Sequence, residues 1–379
     1  MEKERFLWID GLKGICCILI FVHHFICAFY TAFVFGLNYP AHTNFDKLIS
    51  ESVISVFING NFLVFIFCTI SGFVIARSFM KKGKKQDLLK VTLKRYLRLC
   101  IPVLLLGMIV WLLSFFKLFF HLEAAPLTGS SIWLGAYYLV KLSLKDILIS
   151  ALFKTPFYGD SYISNALWMY GNFLIGSIVI YFLCLVFDKK KKRDSLFLIV
   201  PLMACLINES FIACFISGYW LAFLVDDLKI DKIKWKPLLA FILIFVGLFL
   251  GGYPFGVMPD NYYHYLKFSN CFLPHFLAAV SLISGLYLAP FWQNFLSNKL
   301  FLWLGKLSFA IYLVHIPLIY SYSSYLFLRL IGNNRYNFDC LIVFIGTLCL
   351  LLLFSYLFYL LEAKVYKVVS QKILNEKLK

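Results

Sequence analysis

The stretch IDGLKGICCILIFVHHFICAFY at residues 9–30 decides how the rest of the chain is interpreted. It begins with an acid and a base, Asp10 and Lys13, and continues as an apolar run long enough to cross a bilayer as a helix. Two adjacent histidines, His23 and His24, stand near its middle. An ionisable side chain in a membrane span is costly unless it is paired or faces a cavity. The histidines are therefore candidates for a functional site, with hydrogen bonding to a neighbouring helix as the alternative.

The composition of the whole chain agrees with a membrane protein. Of the 379 residues, 62% are hydrophobic and 15% are charged, which lies outside the range of soluble domains. Apolar runs near the ~20 residues that cross ~30 Å of hydrocarbon recur along the chain. We count ten, at 14–35, 53–80, 97–120, 166–187, 196–206, 211–225, 237–250, 271–291, 300–320 and 340–361. The sequence therefore predicts an all-α, polytopic transmembrane bundle of about ten spans, with residues 1–379 forming a single integral membrane domain.

The basic residues predict the orientation of this bundle. Of the 36 Lys and Arg residues, 27 fall in segments 1–13, 77–98, 188–194, 226–236, 290–299 and the tail from 363. Cytoplasmic loops carry such an excess, so we expect both termini in the cytoplasm, Lys84 and Lys191 inside and Asn261 outside. The cell (inner or plasma) membrane is the expected location.

The net charge of +17 is spread over alternate loops rather than one folded face. We therefore attribute it to topology and to anionic membrane lipids, and we expect no nucleic-acid partner. The eleven cysteines lie mostly in apolar segments and form no C-x-x-C pair. They are interpreted as small hydrophobic residues, so no metal site is expected.

Helical geometry separates the two histidines. At ~100° and 1.5 Å per residue, His24 lies about 20° of rotation and about 16 Å from Lys13, whereas His23 points roughly 80° away from Lys13. We therefore expect His23 to face packing or lipid. Asp10 lies one turn before Lys13 on nearly the same stripe. A face with an inner cation and a base at mid-depth suits a long ligand with an anionic head, such as an acyl-coenzyme A, and the base could deprotonate an acceptor hydroxyl.

These residues resemble the first helix of the acyltransferase-3 family of integral membrane O-acyltransferases. That helix carries Asp-Gly-Leu-Arg-Gly and then a catalytic histidine, and here Lys13 stands in the Arg position and His24 in the catalytic register. Further matches are the Ser-Gly-Phe element at 71–73, KRYLRLCIP with Arg95 and Arg98, FISGYWLAF, and LGKLSFAIYLVHIPLI with Gly305, Ser308, Tyr312, His315 and Pro317. The resemblance covers nearly all ten predicted spans.

Two positions depart from the family pattern. Lys13 keeps the positive charge but lacks the fork with which an arginine grips phosphate. In the fourth predicted span, LWMYGNFLIGS keeps Trp168 but has Phe173 in the register of the family's glutamate, with Asn172 beside it. Either the Asn172 amide substitutes for that carboxylate or the chain works without it.

The resemblance implies an acyltransferase that transfers groups other than aminoacyl groups and is similar to O-acetyltransferases. It would move an acyl group, acetyl by expectation, from cytoplasmic acyl-coenzyme A to a hydroxyl of a cell-surface or exported glycan. His24 would be the general base or a transient acyl carrier, and Asp10 would orient or balance the Lys13 region. Lys13, Arg95 and Arg98 would bind the donor, and the further residues expected to line the site are Ser71, Trp168, Asn172, Tyr312 and His315.

The expected partners follow from the same resemblance. They are acyl-coenzyme A, a glycan or lipid-linked saccharide acceptor, and membrane lipids. Acyl-coenzyme A enters as a substrate, and we expect neither a metal nor a permanently bound cofactor.

Each of these roles has a structural alternative. Arg95 and Arg98 would also anchor a helix end at the membrane surface, Ser71 would also permit close helix packing, and Tyr312 and His315 would also be packing residues. For the whole protein, the alternative is a non-catalytic exporter or flippase of a glycan or lipid-linked intermediate. A sensor or assembly protein that has lost activity is a third interpretation.

Overall fold

The computed structural model describes residues 6–36, 38–82, 87–139, 141–187, 199–227, 234–254, 262–332 and 335–374. Helix accounts for 82% of the structure, and these ranges contain no strand, so the all-α prediction is confirmed. Lys84, Lys191 and Asn261 lie outside the described residues.

The α-helices follow one another in this order: α1 (Leu7–Phe29), α2 (Thr31–Phe35), α3 (Phe45–Glu51), α4 (Gly60–Lys82), α5 (Leu88–Phe115), α6 (His121–Thr128), α7 (Leu144–Ile149), α8 (Thr155–Tyr158), α9 (Tyr170–Val186), α10 (Ile199–Ile207), α11 (Ile212–Asp227), α12 (Lys236–Gly251), α13 (Phe272–Leu288), α14 (Pro290–Leu296), α15 (Lys299–Leu318), α16 (Ser324–Leu330) and α17 (Tyr336–Leu374).

Every apolar run predicted from the sequence overlaps one of these helices. Within the described ranges, six helical stretches are long and apolar enough to cross a membrane on their own: Leu7–Phe29, Gly60–Lys81, Leu88–Phe115, Asn165–Val186, Lys299–Leu330 and Tyr336–Ile373. The pair α13 and α14 makes a seventh if it counts as one span. Helices α11 and α12 are apolar but shorter, and α10 has nine residues.

The structure corrects several predicted boundaries. The run 53–80 begins with a 3₁₀ segment, Val53–Ile58, before α4 starts at Gly60. The run 271–291 bends by 98° between α13 and α14, where Pro290 lacks the N–H that would continue the ladder. The first helix starts at Leu7, so Asp10 and Lys13 belong to it.

The crossing of α1 and α15 organises the centre of the bundle. A Cβ built on Gly14 would lie 2.5 Å from the backbone nitrogen of Gly305, and a Cβ on Gly305 would lie 2.1 Å from the carbonyl oxygen of Asp10. Glycines allow the two backbones to approach this closely. The contact fixes α15 against the first turns of α1.

The bundle has two ends that differ in charge. The end that holds the start of α1, the start of α5 and the late turns of α17 is called the basic side here, because Lys13, Arg95 and Arg98 lie there. The end that holds α2, α3 and the start of α4 is called the opposite side. The described chain therefore begins and ends on the basic side.

Candidate active site

A cavity of about 640 Å³ lies on the basic side. Its charged lining residues are the cations Lys13, Arg95, Arg98 and Lys306 and the acids Asp10 and Glu362. Four positive and two negative groups leave a formal charge of +2. A positively charged cavity that also has aromatic and apolar walls suits a ligand with an anionic head and an uncharged arm.

The two arginines are fixed but keep free binding groups. Arg95 donates from Nε to Oγ of Ser177 at 2.9 Å. Arg98 donates from Nε to the hydroxyl of Tyr366 at 3.3 Å, and its guanidinium lies 5.3 Å from the centre of that ring. Neither arginine uses its terminal nitrogens for a hydrogen bond within the described ranges. Those nitrogens can therefore meet phosphate oxygens.

Lys13 lies on the same wall of the cavity. Its Nζ pairs with Oδ1 of Asp10 at 3.5 Å, one turn earlier in α1. Asp10 therefore lies beside Lys13, in the position that the expected charge-balancing role requires.

A buried hydroxyl also lines the cavity. Tyr170 is 1% exposed, and its hydroxyl has no hydrogen-bond partner among the residues that the structure describes. Its ring stacks on Tyr312 with centroids 6.5 Å apart and planes at 19°. An unpaired buried polar group costs about 1–3 kcal/mol, and an oxygen of a bound ligand would satisfy it.

The lining residues that the sequence prediction missed include Tyr170, Lys306, Glu362 and Tyr366. Lys306 follows Gly305 in the late signature, and its Nζ lies 5.0 Å from the ring centre of Tyr359. Glu362 directly follows the last apolar run, and a carboxylate at the end of a membrane span is a sequence signal for a functional site.

The centre of the site is a pair of histidines. Nδ1 of His24 lies 2.8 Å from Nε2 of His315, and the ring centroids are 5.0 Å apart with planes at 13°. His315 is completely buried, whereas His24 is partly accessible. The sequence did not decide whether His315 has a packing role or a site role. In the structure, His315 contacts His24.

The hydrogen bonds assign the tautomers of this pair in its neutral state. Nδ1 of His315 lies 3.1 Å from the carbonyl oxygen of Ile311, and a carbonyl only accepts, so this nitrogen carries the proton. Nε2 of His315 is then the acceptor and Nδ1 of His24 the donor. Nε2 of His24 is left with a lone pair and makes no hydrogen bond within the described part of the chain. His24 is thus oriented as a base or a nucleophile.

Tyr312 connects the basic cavity to the histidine pair. It lines the cavity, its hydroxyl donates to the carbonyl of Ala166, and its ring centroid lies 6.0 Å from that of His315. The deep end of the cavity therefore adjoins the pair. Ser71, also expected at the site, lines the same cavity.

An aromatic cover lies over His24 on the opposite side. The ring of Trp133, between α6 and α7, stacks on His24 at 5.4 Å and 21°. Trp133 packs edge-on against Tyr320 at 5.7 Å, and Tyr320 stacks on His121 at 4.6 Å. Burial lowers the pKa of His121, so this ring is neutral at pH 7. The segment that joins α6 to α7 therefore packs over His24.

We expected His23 to face packing or lipid, and in the structure it is packed. Its Nδ1 donates to the carbonyl oxygen of Ile58 at 2.7 Å, and its ring lines a second cavity, of about 400 Å³, on the opposite side. His23 is packed rather than lipid-facing, because α2 and the start of α4 fold over this face of α1.

Of the remaining expected residues, Trp168 lines a cavity and Asn172 does not. Trp168 lines the cavity on the opposite side, and Phe173, in the register of the family's glutamate, lines the basic cavity. Asn172 is not among the lining residues of either cavity, and its Nδ2 lies 3.6 Å from Sδ of Met169.

A family comparison agrees with this geometry. The acyltransferase-3 family model, described as an acyltransferase domain, matches residues 6–360. The chain belongs to the acyltransferase-3 family. No curated protein and no solved structure matches it.

Membership of the acyltransferase-3 family makes this chain a multi-pass membrane acyltransferase. The two departures from the family pattern both lie at the basic cavity, since Lys13 and Phe173 line it. Glu362 places a carboxylate in the same cavity from α17.

Proposed function

We propose that this acyltransferase moves an acyl group, acetyl in the simplest case, from acyl-coenzyme A to a hydroxyl of a cell-surface or exported glycan. The observation that carries the proposal is the orientation of His24 by His315, next to Tyr312, which lines the deep end of a positively charged cavity. The protein would work as a multi-pass enzyme of the cell membrane.

The basic cavity is suited to the donor. The terminal nitrogens of Arg95 and Arg98 and the ammonium of Lys13 would bind the phosphates of coenzyme A. The uncharged pantetheine arm would then lie along the apolar wall towards Tyr312, which brings the thioester to the histidine pair. The hydroxyl of Tyr170 would donate to an oxygen of the bound donor.

The transfer step uses the free nitrogen of His24. The acceptor hydroxyl gives its proton to Nε2 while its oxygen attacks the thioester carbonyl. The C–S bond then breaks, and the coenzyme A thiolate takes the proton back from His24. The neutral Nε2 of His315 would accept a stronger hydrogen bond from the imidazolium while the charge is present. In the acyl-carrier version, Nε2 of His24 attacks the thioester first and the acceptor hydroxyl then removes the acyl group.

Replacement of His24 tests the chemistry. We expect His24→Ala to lower the rate of coenzyme A release from acetyl-coenzyme A and of acyl transfer by about 10²- to 10⁴-fold, because a positioned general base contributes that factor. The measurement uses purified, detergent-solubilised protein, and His264→Ala, a change at an exposed histidine, is the control. Near wild-type turnover by well-folded His24→Ala protein would overturn the mechanism, and glycan transport without any acylated product would favour an exporter.

Replacement of Arg95 tests the donor site. We expect Arg95→Ala to raise the KM for acetyl-coenzyme A several-fold and to change kcat less, because phosphates gripped equally in the ground and transition states contribute to binding alone. Lys94→Ala is a matched control, since Lys94 is the neighbouring cation on α5 but does not line the cavity. Equal donor KM values for the two variants would remove Arg95 from the donor site.

A further inference from the structure

The cavity on the opposite side has no role in donor binding. It measures about 400 Å³ and is enclosed by the end of α2, the 3₁₀ segment, the start of α4, Trp168 and the turn after α12. His23 forms part of its wall, and the ring of His23 lies 5.0 Å from the ring of His24. The two cavities therefore approach the histidine pair from opposite ends of the bundle.

The chemistry of this cavity differs from that of the basic cavity. None of the lining residues that the structure describes is charged, and Phe35 and Pro254 give the cavity apolar surface. Among these described residues a phosphate or carboxylate would find no counterion, and burying it would be costly. The occupant that fits is uncharged.

Two polar groups of the lining are available to such an occupant. The amide of Asn61 and the indole N–H of Trp168 make no hydrogen bond within the ranges that the structure describes, and Trp168 is 40% exposed. By contrast, the Asn59 amide is already used, since it donates to the carbonyl of Tyr253 at 2.9 Å and accepts from the backbone N–H of Phe62 at 3.3 Å. A flat indole beside a free amide suits a sugar ring, whose C–H face stacks and whose hydroxyls hydrogen-bond.

The wall at His23 is rigid. A Cβ on Gly60 would lie 2.4 Å from Cδ2 of His23, so the start of α4 closes directly on the ring. The hydrogen bond to Ile58 fixes its Nδ1 as the donor. Because Trp133 covers the face of His24, a hydroxyl from the opposite side approaches His24 along this wall.

We propose that the cavity formed around His23, Asn61 and Trp168 binds the acceptor, and that the acceptor presents a neutral, hydroxyl-bearing sugar ring there. Trp168 stacks on the ring, Asn61 hydrogen-bonds its hydroxyls, and one hydroxyl passes His23 to reach His24. This inference rests on the proposed function. It goes beyond that function in two respects: it locates the acceptor site, and it states that the modified sugar ring is uncharged.

The test separates the acceptor site from the donor site. Asn61→Leu and Trp168→Ala should lower the alkali-labile acetyl ester on the surface glycans of cells that carry the gene by at least about tenfold. Purified protein of both variants should keep its KM for acetyl-coenzyme A and its rate of coenzyme A release without acceptor. The controls are Trp292→Ala, which removes a similarly exposed (42%) tryptophan on the basic side, and Asn208→Leu at an exposed asparagine.

The possible outcomes show separately whether the acceptor site or the proposed function is wrong. Wild-type ester levels in both cavity variants would overturn the acceptor site, as would a loss of donor turnover equal to the loss of ester. Mass spectrometry that places the ester on an anionic sugar would overturn the neutral ring. If the wild-type protein neither turns over acetyl-coenzyme A nor adds an ester in cells, the proposed function itself fails.

Discussion

At the scale of single residues, His24 is oriented by a neutral partner, His315, rather than by a buried carboxylate. A carboxylate partner for His24 would have to be desolvated within the bundle, which is costly unless it is fully paired. A neutral His315 avoids this cost, because the carbonyl of Ile311 holds its proton on Nδ1 and Nε2 remains an acceptor for His24. In the proposed mechanism, His315 is therefore a positioning residue rather than a group that touches the substrate.

A pair of substitutions at His315 tests this role. The side-chain oxygen of a glutamine can accept the proton of His24 Nδ1, whereas leucine offers no acceptor. We expect His315→Gln to retain at least a tenth of wild-type kcat and His315→Leu to lose about 10²-fold or more, with the donor KM unchanged in both.

The comparison also distinguishes orientation from packing. If His315 serves packing alone, Leu should be tolerated as well as Gln, since both fill the space. Equal kcat values for the two variants, with equal melting temperatures of the purified proteins, would contradict the positioning role.

At the scale of helices, the approach of α1 to α15 sets the register in which His24 meets His315. The sequence was sufficient to predict that Lys13 and His24 share one face of α1, because both lie on one helix and a fixed rotation per residue relates them. It was not sufficient for His315, which is 291 positions away from His24, since no local pattern specifies which helices become neighbours. The bend between α13 and α14 was missed although Pro290 marks it.

A glycine substitution tests the importance of this approach. We expect Gly305→Ala to destabilise the protein by about 1–3 kcal/mol, because the new Cβ would lie 2.1 Å from the Asp10 carbonyl oxygen. Activity should fall as well, since the displaced helices would separate the histidines. The measurements are the melting temperature and coenzyme A release of purified protein.

Gly346→Ala is the control for that experiment. Its Cβ would meet the hydroxyl of Tyr322 at 2.9 Å, the far end of a side chain that can move. A melting temperature of Gly305→Ala as high as that of Gly346→Ala would show that the backbones of α1 and α15 can separate without loss of stability.

At the scale of the molecule, a charged and an uncharged cavity approach the histidine pair from opposite ends of the bundle. Composition and apolar runs predicted the membrane bundle, and the basic motifs predicted which residues line the basic cavity. The cavity on the opposite side was not predictable, because its wall combines His23, residues near Asn59 and Trp168, which come from separate parts of the chain. The aromatic cover was missed for the same reason, since Trp133 and Tyr320 are brought together by tertiary packing.

The orientation of the two cavities across the membrane decides whether donor and acceptor can both reach the site. The predominance of basic residues in alternate segments predicts that the basic side faces the cytoplasm, where acyl-coenzyme A is available. The test uses single cysteines at Leu89, which is 76% exposed on the basic side, and at Tyr265, which is 87% exposed on the opposite side. Cys349, an exposed native cysteine, is first replaced by serine. A membrane-impermeant maleimide should label Tyr265→Cys in intact cells and Leu89→Cys after permeabilisation alone. Labelling of Leu89→Cys in intact cells would place the donor cavity outside, and the proposed direction of transfer would then be wrong.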